Sequence, residues 1–205
     1  MANLKEVKSR IQSVTSTQQI TKAMKMVAAA KLRRAQDNIT QMRPYAQKLA
    51  GMLQNLSGQS DNGEGGDYSE VRAVNKVLLI VVTSDKGLCG AFNSNVFKTA
   101  NRTIKEKYQS QFNNGKVDIL PVGKKALDYF TKRDYSVISD YWNMFSPVDF
   151  EKSNEVAEFA MDQFVKGEYD KVEIVYNEFK NVATQILRVE QFLPVLPAEK
   201  SEDNG

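Results

Sequence analysis

The sequence has 205 residues, a net charge of +3, one cysteine and no histidine. The lack of histidine excludes a Ser-His-Asp triad, a Cys-His pair and a histidine-based metal site, and the single cysteine excludes an internal disulfide and a CxxC zinc ribbon. The longest apolar run, Val77–Val82, has six residues where a membrane span needs about 20, and the first residues lack the apolar region of a secretory signal, so we expect neither feature.

The first part of the sequence is predicted to form one long basic helix. Residues 1–60 hold ten basic and two acidic side chains, a net charge of +8, whereas residues 61–205 carry a net charge of −5. Positions taken in alternating steps of three and four from Leu4 to Leu56 are apolar at 13 of 16 places. A stripe with a period of 3.5 residues over this distance is typical of a coiled coil. We therefore expect a shaft helix over residues 1–57, roughly 80 Å long, that needs a partner helix.

Two features interrupt this pattern. The stripe lacks apolar residues at Gln18, Thr21 and Lys25, beside a Ser- and Thr-rich stretch that is poor in helix formers. Either the coiled coil tolerates a stutter there, or this segment faces something other than its partner helix. Pro44 has no backbone N–H and predicts a kink or an interruption of the helix near residue 43. A Gly- and Asp-rich stretch over residues 58–70 then predicts a linker.

Residues 71–197 are predicted to form a separate α/β domain, because the element order βαβαβαββ favours a mostly parallel, three-layer architecture. The short connection between the last two strands has no room for a crossover helix, which predicts an antiparallel pair. The predicted strands are Lys76–Thr83, Lys116–Val122, Ser136–Asp140, Lys171–Asn177 and Thr184–Phe192. The predicted helices are Asn95–Tyr108, Lys124–Lys132 and one that begins at the cap-like string Ser146-Pro147-Val148-Asp149 and ends at Gly167. The acidic residues 198–205 are expected to be disordered.

The most motif-like segment is Thr83–Ala91, which lies between the first strand and a helix, where doubly wound folds bind phosphates. It matches neither a G-x-G-x-x-G nor a G-x-x-x-x-G-K-[ST] pattern. One interpretation is an enzyme in which Lys86 or Cys89 acts on a phosphorylated ligand. The other, which we favour, is that Gly87 and Gly90 shape a tight structural turn.

Two smaller features also have two interpretations each. Cys89 is either a reactive thiol near a helix N-terminus or a buried small hydrophobe, and we favour the buried hydrophobe. The carboxylates of Asp149, Glu151, Glu155 and Glu158 either bind Mg²⁺ or form the solvated face of a helix, and we favour the solvated face.

The basic side chains of the predicted shaft helix allow three interpretations. Nucleic-acid binding is disfavoured because residues 1–44 contain no aromatic side chain on which bases could stack. Membrane-surface binding is disfavoured because the apolar stripe holds no Trp or Phe. Insertion of the helix into an acidic protein cavity or collar fits best. The side chains concerned are Lys22, Lys25, Lys31, Arg33 and Arg34.

Two strings carry a resemblance to a known family. They are Ile-Thr-Lys-Ala-Met-Lys-Met-Val-Ala-Ala over residues 20–29 and Asp-Lys-Gly-Leu-Cys-Gly over residues 85–90, supported by Arg43-Pro44-Tyr45. Together they closely resemble the gamma subunit of F-type ATP synthases, the central shaft of a rotary motor. Members of that family end in a second long helix that pairs with the first as an antiparallel coiled coil. The resemblance therefore implies that this sequence lacks the partner helix which its apolar stripe requires.

The resemblance implies a non-catalytic rotor subunit with a Rossmann-like α/β foot, and with no catalytic residue, metal or cofactor. The shaft would couple ion-driven rotation of a membrane ring to ATP synthesis or hydrolysis in a head of alpha and beta subunits. The foot would contact the epsilon subunit and the c-subunit ring, with no nucleic acid as partner. The chain would be peripheral to a bacterial inner membrane, on its cytoplasmic side. The residues implied to meet the alpha/beta head are Lys22, Met24, Lys25, Met26, Lys31, Arg33 and Arg34.

Overall fold

The computed structural model describes residues 3–59, 66–145, 148 and 150–196. The chain divides into two compact units, Met1–Leu53 and Gln54–Gly205, which we describe separately. The predicted cap at residues 146–149 falls almost wholly outside the described residues, as do the middle of the predicted linker and the predicted tail. Within the described residues, no helix is both long enough and apolar enough to cross a membrane.

Helix α1 runs from Leu4 to Gln59 and has 56 residues. Its apolar stripe is exposed, with Leu4 at 83% and Ile11 at 62% of full exposure. The helix continues through Pro44 without an interruption, and the kink expected there stays a prediction. Because helix propagation is cooperative, one lost backbone hydrogen bond does not end a helix of this length.

The Ser- and Thr-rich stretch of α1 is helical although its residues are weak helix formers. The hydroxyls of Thr15, Thr17 and Thr21 donate to the carbonyl oxygens of Ile11, Ser13 and Thr17 at 2.8–2.9 Å. Each hydroxyl therefore finds its partner four residues back in the same helix, which removes the need for a competing turn.

The second unit is built on one five-stranded sheet with strand order β3-β2-β1-β4-β5. Strand β1 pairs in parallel with both β2 and β4, β2 pairs in parallel with β3, and β4 pairs antiparallel with β5. The mixed α/β fold with a long N-terminal helix and a mostly parallel sheet is thus confirmed. The strands are β1 Val77–Val82, β2 Val117–Val122, β3 Ser136–Val137, β4 Lys171–Phe179 and β5 Gln185–Leu193. The helices are α2 Phe92–Lys107, α3 Gln109–Asn113, α4 Lys124–Phe130 and α5 Phe150–Val165.

Helices cover both faces of this sheet. On one face, Val96 and Ala100 of α2 and Phe130 of α4 pack against alternate residues of β1 and β2. On the other face, Ala160 and Phe164 of α5 pack against the intervening residues. A central parallel strand is therefore buried on both sides, which explains the unbroken apolar run of β1. Each fully buried large side chain stabilises the unit by about 1.5–3 kcal/mol.

Most predicted elements differ from the observed ones by one or two residues at an end, and α2, α3 and β3 differ more clearly. Helix α2 begins at Phe92, three residues before the predicted start. The short helix α3 was not predicted, and it directly follows α2. The third strand was predicted over residues 136–140 but has only two residues, Ser136 and Val137, because it pairs with β2 alone and lies at the edge of the sheet.

Each face of the sheet also buries one carboxylate with a positive partner. Asp118 of β2 accepts a 2.7 Å hydrogen bond from the Tyr169 hydroxyl and lies 3.3 Å from Lys76 Nζ. Glu173 of β4 accepts a 3.1 Å hydrogen bond from Lys107 Nζ. Buried charges are tolerated when they are paired and hydrogen-bonded, so these contacts offset the cost of burying the two carboxylates.

Candidate functional site

The seven side chains that the resemblance singles out all lie on α1, and all are exposed. They are Lys22, Met24, Lys25, Met26, Lys31, Arg33 and Arg34. An α-helix turns once in 3.6 residues, so Lys22, Lys25, Met26 and Arg33 share one face, whereas Met24 and Lys31 share the opposite face. The set therefore encircles α1 instead of forming one patch.

The five basic side chains of this set form no ion pair within the described part of the chain. The ion pairs of Arg72, Lys76, Lys107, Lys171 and Arg188 lie in the α/β unit. Uncompensated positive charge on an exposed helix attracts acidic surfaces, and salt screens the attraction over about 10 Å. The electrostatics of α1 thus favour an acidic partner.

A shallow open depression on α1 brings together the residues that interrupt the apolar stripe. Its lining is mostly apolar methyl and methylene surface beside two ammonium groups. The lining residues are Val14, Thr17, Gln18, Thr21, Lys22 and Lys25. The three residues that interrupt the stripe therefore lie next to Lys22 on the helix surface. The sequence showed them only as neighbours along the chain.

The turn between β1 and α2 is held by the amide of Asn93. Its Oδ1 accepts a hydrogen bond from the Ser84 backbone N–H at 3.1 Å, and its Nδ2 donates to Ser84 Oγ at 2.9 Å. Gly90 has a φ of +59°, in the left-handed region that favours glycine. Gly87 has no positive φ, and Leu88 instead adopts +61°. Asn93 was not predicted, because no local pattern marks it within an amphipathic helix.

A second glycine shapes this edge of the sheet and was missed as well. Gly123 follows β2 with a φ of +100°, and a Cβ there would lie 2.3 Å from the carbonyl oxygen of Thr83. The Thr83 hydroxyl accepts a 2.8 Å hydrogen bond from the Ala126 backbone N–H. The carboxyl ends of β1 and β2 therefore meet too closely for any side chain at residue 123. The sequence feature that could have revealed this close approach is a glycine directly after a buried strand.

The expectation that Cys89 is buried is wrong. Its side chain is exposed, and Asn93 Nδ2 donates to its sulfur at 3.2 Å. The reason is the turn itself, because the left-handed conformations at Leu88 and Gly90 carry residues 87–91 out of the sheet toward solvent.

The side chains of Ser84 and Asp85 in this turn make structural contacts, and Lys86 is exposed. Ser84 Oγ donates to the Lys86 carbonyl at 2.6 Å, and Asp85 Oδ1 accepts from the Lys124 backbone N–H at 2.9 Å. A hydroxyl nucleophile needs a general base within hydrogen-bond reach, and Ser84 contacts only an amide, a thiol and a carbonyl. Among the described residues, no group of three His, Cys, Asp or Glu side chains could hold a metal ion. The hydrogen bonds of Ser84 and Asp85 thus suit a fixed turn.

Comparison with known proteins gives consistent matches. The family model described as ATP synthase matches residues 3–205. The ATP synthase gamma chain of Cytophaga hutchinsonii is 52% identical over 195 residues, which is 95% of this chain and 66% of that relative. The gamma chain of Chlorobaculum parvum is 50% identical over 203 residues, which is 99% of this chain and 70% of the relative. This chain therefore spans about two thirds of the length of these relatives.

Solved structures agree with the sequence matches. A structure of the Tetrahymena thermophila mitochondrial ATP synthase, described as central stalk and c-ring, matches with a TM-score of 0.62 and 28% identity over 85% of this chain and 72% of that chain. A rotor structure of the Euglena gracilis mitochondrial enzyme matches with a TM-score of 0.52 over 94% of this chain and 62% of that chain, at 22% identity, which supports the fold alone. The sequence and the fold thus agree on one assignment: this chain belongs to the family of ATP synthase gamma chains.

Proposed function

We propose that this chain is the central-stalk rotor subunit of an ATP synthase and carries out no bond chemistry itself. The observation that carries the proposal is α1, a helix of 56 residues with an exposed apolar stripe and the exposed basic side chains Lys22, Lys25, Lys31, Arg33 and Arg34, in a chain that belongs to the gamma family. A helix with these surfaces is suited to work inside a protein collar. Its apolar stripe requires a partner helix, and its basic groups suit acidic surroundings.

The mechanism is a population shift at catalytic sites that other subunits hold. As an asymmetric shaft turns, each surrounding site meets a different face of α1. A face that contacts one conformation of a site better than another shifts that site toward the favoured conformation. Residues with opposite directions on α1, such as Met24 and Lys22, would therefore act on different sites at the same moment.

The partners of this proposed rotor are the alpha and beta subunits of the head, the epsilon subunit and the c-subunit ring. We assign the alpha/beta contact to Lys22, Met24, Lys25, Met26, Lys31, Arg33 and Arg34. The α/β unit would contact epsilon and the c ring as the foot of the rotor. The likeness to a structure described as central stalk and c-ring supports this part of the proposal. The location we propose is the cytoplasmic face of a bacterial inner membrane, as a peripheral subunit.

A coupling measurement tests the proposal. The protein is assembled with alpha and beta subunits and the membrane ring, and ion transport per ATP hydrolysed is measured. We expect the parent complex to be coupled and Met24→Lys to transport fewer ions per ATP. The melting temperature of the chain should not change, because Met24 is 66% exposed.

Met52→Lys is the matched control, since Met52 is also exposed on α1 but lies outside the proposed contact set. It should leave the transport ratio unchanged. Equal ratios for Met24→Lys and the parent would contradict the assigned contact, and a parent complex without rotation-coupled transport would contradict the rotor function.

A further inference from the structure

Residues 66–76, between the end of α1 and strand β1, have no helix or strand, yet hydrogen bonds fix them closely to the α/β unit. The backbone N–H groups of Asn75 and Lys76 both donate to Asp170 Oδ2, at 2.8 and 3.0 Å. Gln111 Nε2 donates to the Val74 carbonyl at 2.9 Å. We call residues 66–76 the lead segment. A force that the chain carries from α1 passes along the lead segment before it reaches the sheet.

The side chain of Arg72 makes several contacts between the lead segment and the rest of the α/β unit. Its Nη2 donates to the Phe164 carbonyl at 2.6 Å and to the Tyr169 carbonyl at 3.3 Å. Its guanidinium carbon lies 4.5 Å from the centre of the Phe164 ring. Only 22% of the side chain is exposed, so water competes weakly for these contacts. One side chain thus joins the lead segment to the end of α5 and to the residues before β4.

The surroundings of Arg72 are shaped to receive it. Gly167 has a φ of +77°, and a Cβ there would lie 3.4 Å from Arg72 Nη1. The Nε of Arg72 lies 3.9 Å from a carboxylate oxygen of Glu70 and 3.9 Å from one of Asp170. Two carbonyl oxygens and an aromatic face contact the planar cation, and a lysine could not match both kinds of contact; the two carboxylates lie too far from Nε for a hydrogen bond.

The lead segment is also hydrogen-bonded to the residues that follow β5. The Val195 backbone N–H donates to the Tyr68 carbonyl at 2.8 Å, directly after β5. The chain therefore enters and leaves the α/β unit at adjacent points. Any force applied through either flanking segment acts on this place, and the Arg72 contacts oppose the peeling of the lead segment from the sheet.

We propose that Arg72 is a positioning residue that anchors the lead segment, and that this anchor keeps rotation coupled between the shaft and the foot. The proposal rests on the proposed rotor function. Arg72 touches no substrate and no catalytic group; it acts by fixing the segment through which torque passes. Without the Arg72 side chain, the lead segment would be held by its hydrogen bonds to Asp170, Gln111 and Val195.

The first test uses amide hydrogen exchange of the chain. In Arg72→Met, which keeps the aliphatic stem and removes every donor, the amides of Asn75 and Lys76 should exchange about tenfold faster, while those of β1 are unchanged. Arg133→Met is the matched control: Arg133 also stacks on an aromatic ring, Tyr129 at 3.7 Å, and donates to its carbonyl at 2.8 Å, but only within one helical turn. It should leave the lead segment unchanged. Unchanged exchange of Asn75 and Lys76 in Arg72→Met would overturn the proposal.

The second test uses the assembled complex and measures ion transport per ATP hydrolysed. Arg72→Met should lower this ratio at an unchanged melting temperature, and Arg72→Lys, which keeps the charge, should restore part of it. If Arg72→Met fails to fold, the comparison of Arg72→Lys with the parent decides, with a reduced ratio expected. If the parent couples normally and the Arg72 variant couples equally well, the proposed anchor is overturned and the rotor function is not. A parent that does not couple overturns the rotor function instead.

Discussion

The two units of this chain treat their apolar residues in opposite ways. In the α/β unit the apolar residues of β1 are buried between helices on both faces of the sheet. In α1 a longer apolar pattern is exposed from Leu4 to Leu53. At about 25 cal/mol per Å² of buried apolar surface, the α/β unit is stabilised by its own core, whereas α1 gains little until a partner covers it.

This difference separates folding from assembly within one sequence. The α/β unit has its own buried core, so substitutions in its interior should lower its stability. Helix α1 keeps its helical form through local hydrogen bonds. Substitutions on its apolar stripe should therefore weaken its association with other chains. The following predictions test that separation, beginning with the largest effect.

The largest effect is expected for a cavity in the sheet core. Phe130 is fully buried, and Phe130→Ala should lower the free energy of unfolding of the α/β unit by about 3–5 kcal/mol. Urea unfolding followed by the fluorescence of Trp142, the single tryptophan, measures this. The control Ile11→Ala should change the same transition by less than about 0.5 kcal/mol, because Ile11 is exposed on α1. Similar losses for both variants would contradict the separation of the two units.

The next effect concerns the close approach of β1 and β2. Gly123→Ala combines a strained φ with a clash against the Thr83 carbonyl and should lower the free energy of unfolding by at least about 2 kcal/mol. Gly115→Ala is a matched control, because Gly115 has a φ of +67° but no atom within 4 Å of the added Cβ. It should cost about 1 kcal/mol, the backbone strain alone. If the two variants lose equal stability, the contact at Thr83 does not limit the fold.

The smallest effect concerns pH. Partial burial, the hydrogen bond to Glu190 and the charges of Glu190 and Glu178 raise the pKa of Tyr176 to about 12. Between pH 10 and 12 the unfolded chain would release this proton while the folded chain keeps it, so the unit should lose stability as pH rises through this range. Tyr176→Phe should make the loss shallower in urea unfolding at pH 9, 10.5 and 11.5. An identical pH slope in the variant would show that Tyr176 does not contribute.

Much of the fold could be predicted because periodicity and strand order are properties of the sequence itself. The stripe from Leu4 predicted α1, and the unbroken run of β1 predicted a strand buried on both faces. The antiparallel pair of β4 and β5 followed from a connection too short for a helix. The two-residue strand β3 could not be predicted, because its length depends on how far it pairs with β2 at the edge of the sheet.

The candidate site was harder to predict, since it depends on three-dimensional proximity. The positions on α1 could be named from a string, but only the continuous helix shows that Met24 and Lys22 point in different directions. At the turn after β1, the left-handed φ falls on Leu88, a residue type that rarely adopts it. That conformation exposes Cys89, and no local pattern in the sequence announces it.

The Thr-rich stretch of α1 has a consequence for how its surface meets a neighbour. A threonine hydroxyl that already donates to its own helix has no hydrogen left to give, so Thr15, Thr17 and Thr21 offer a neighbour their methyl groups and an oxygen that can only accept. Contacts made by methyl groups are non-directional and individually weak. A neighbour could therefore donate hydrogen bonds to these three hydroxyl oxygens but would receive none from them.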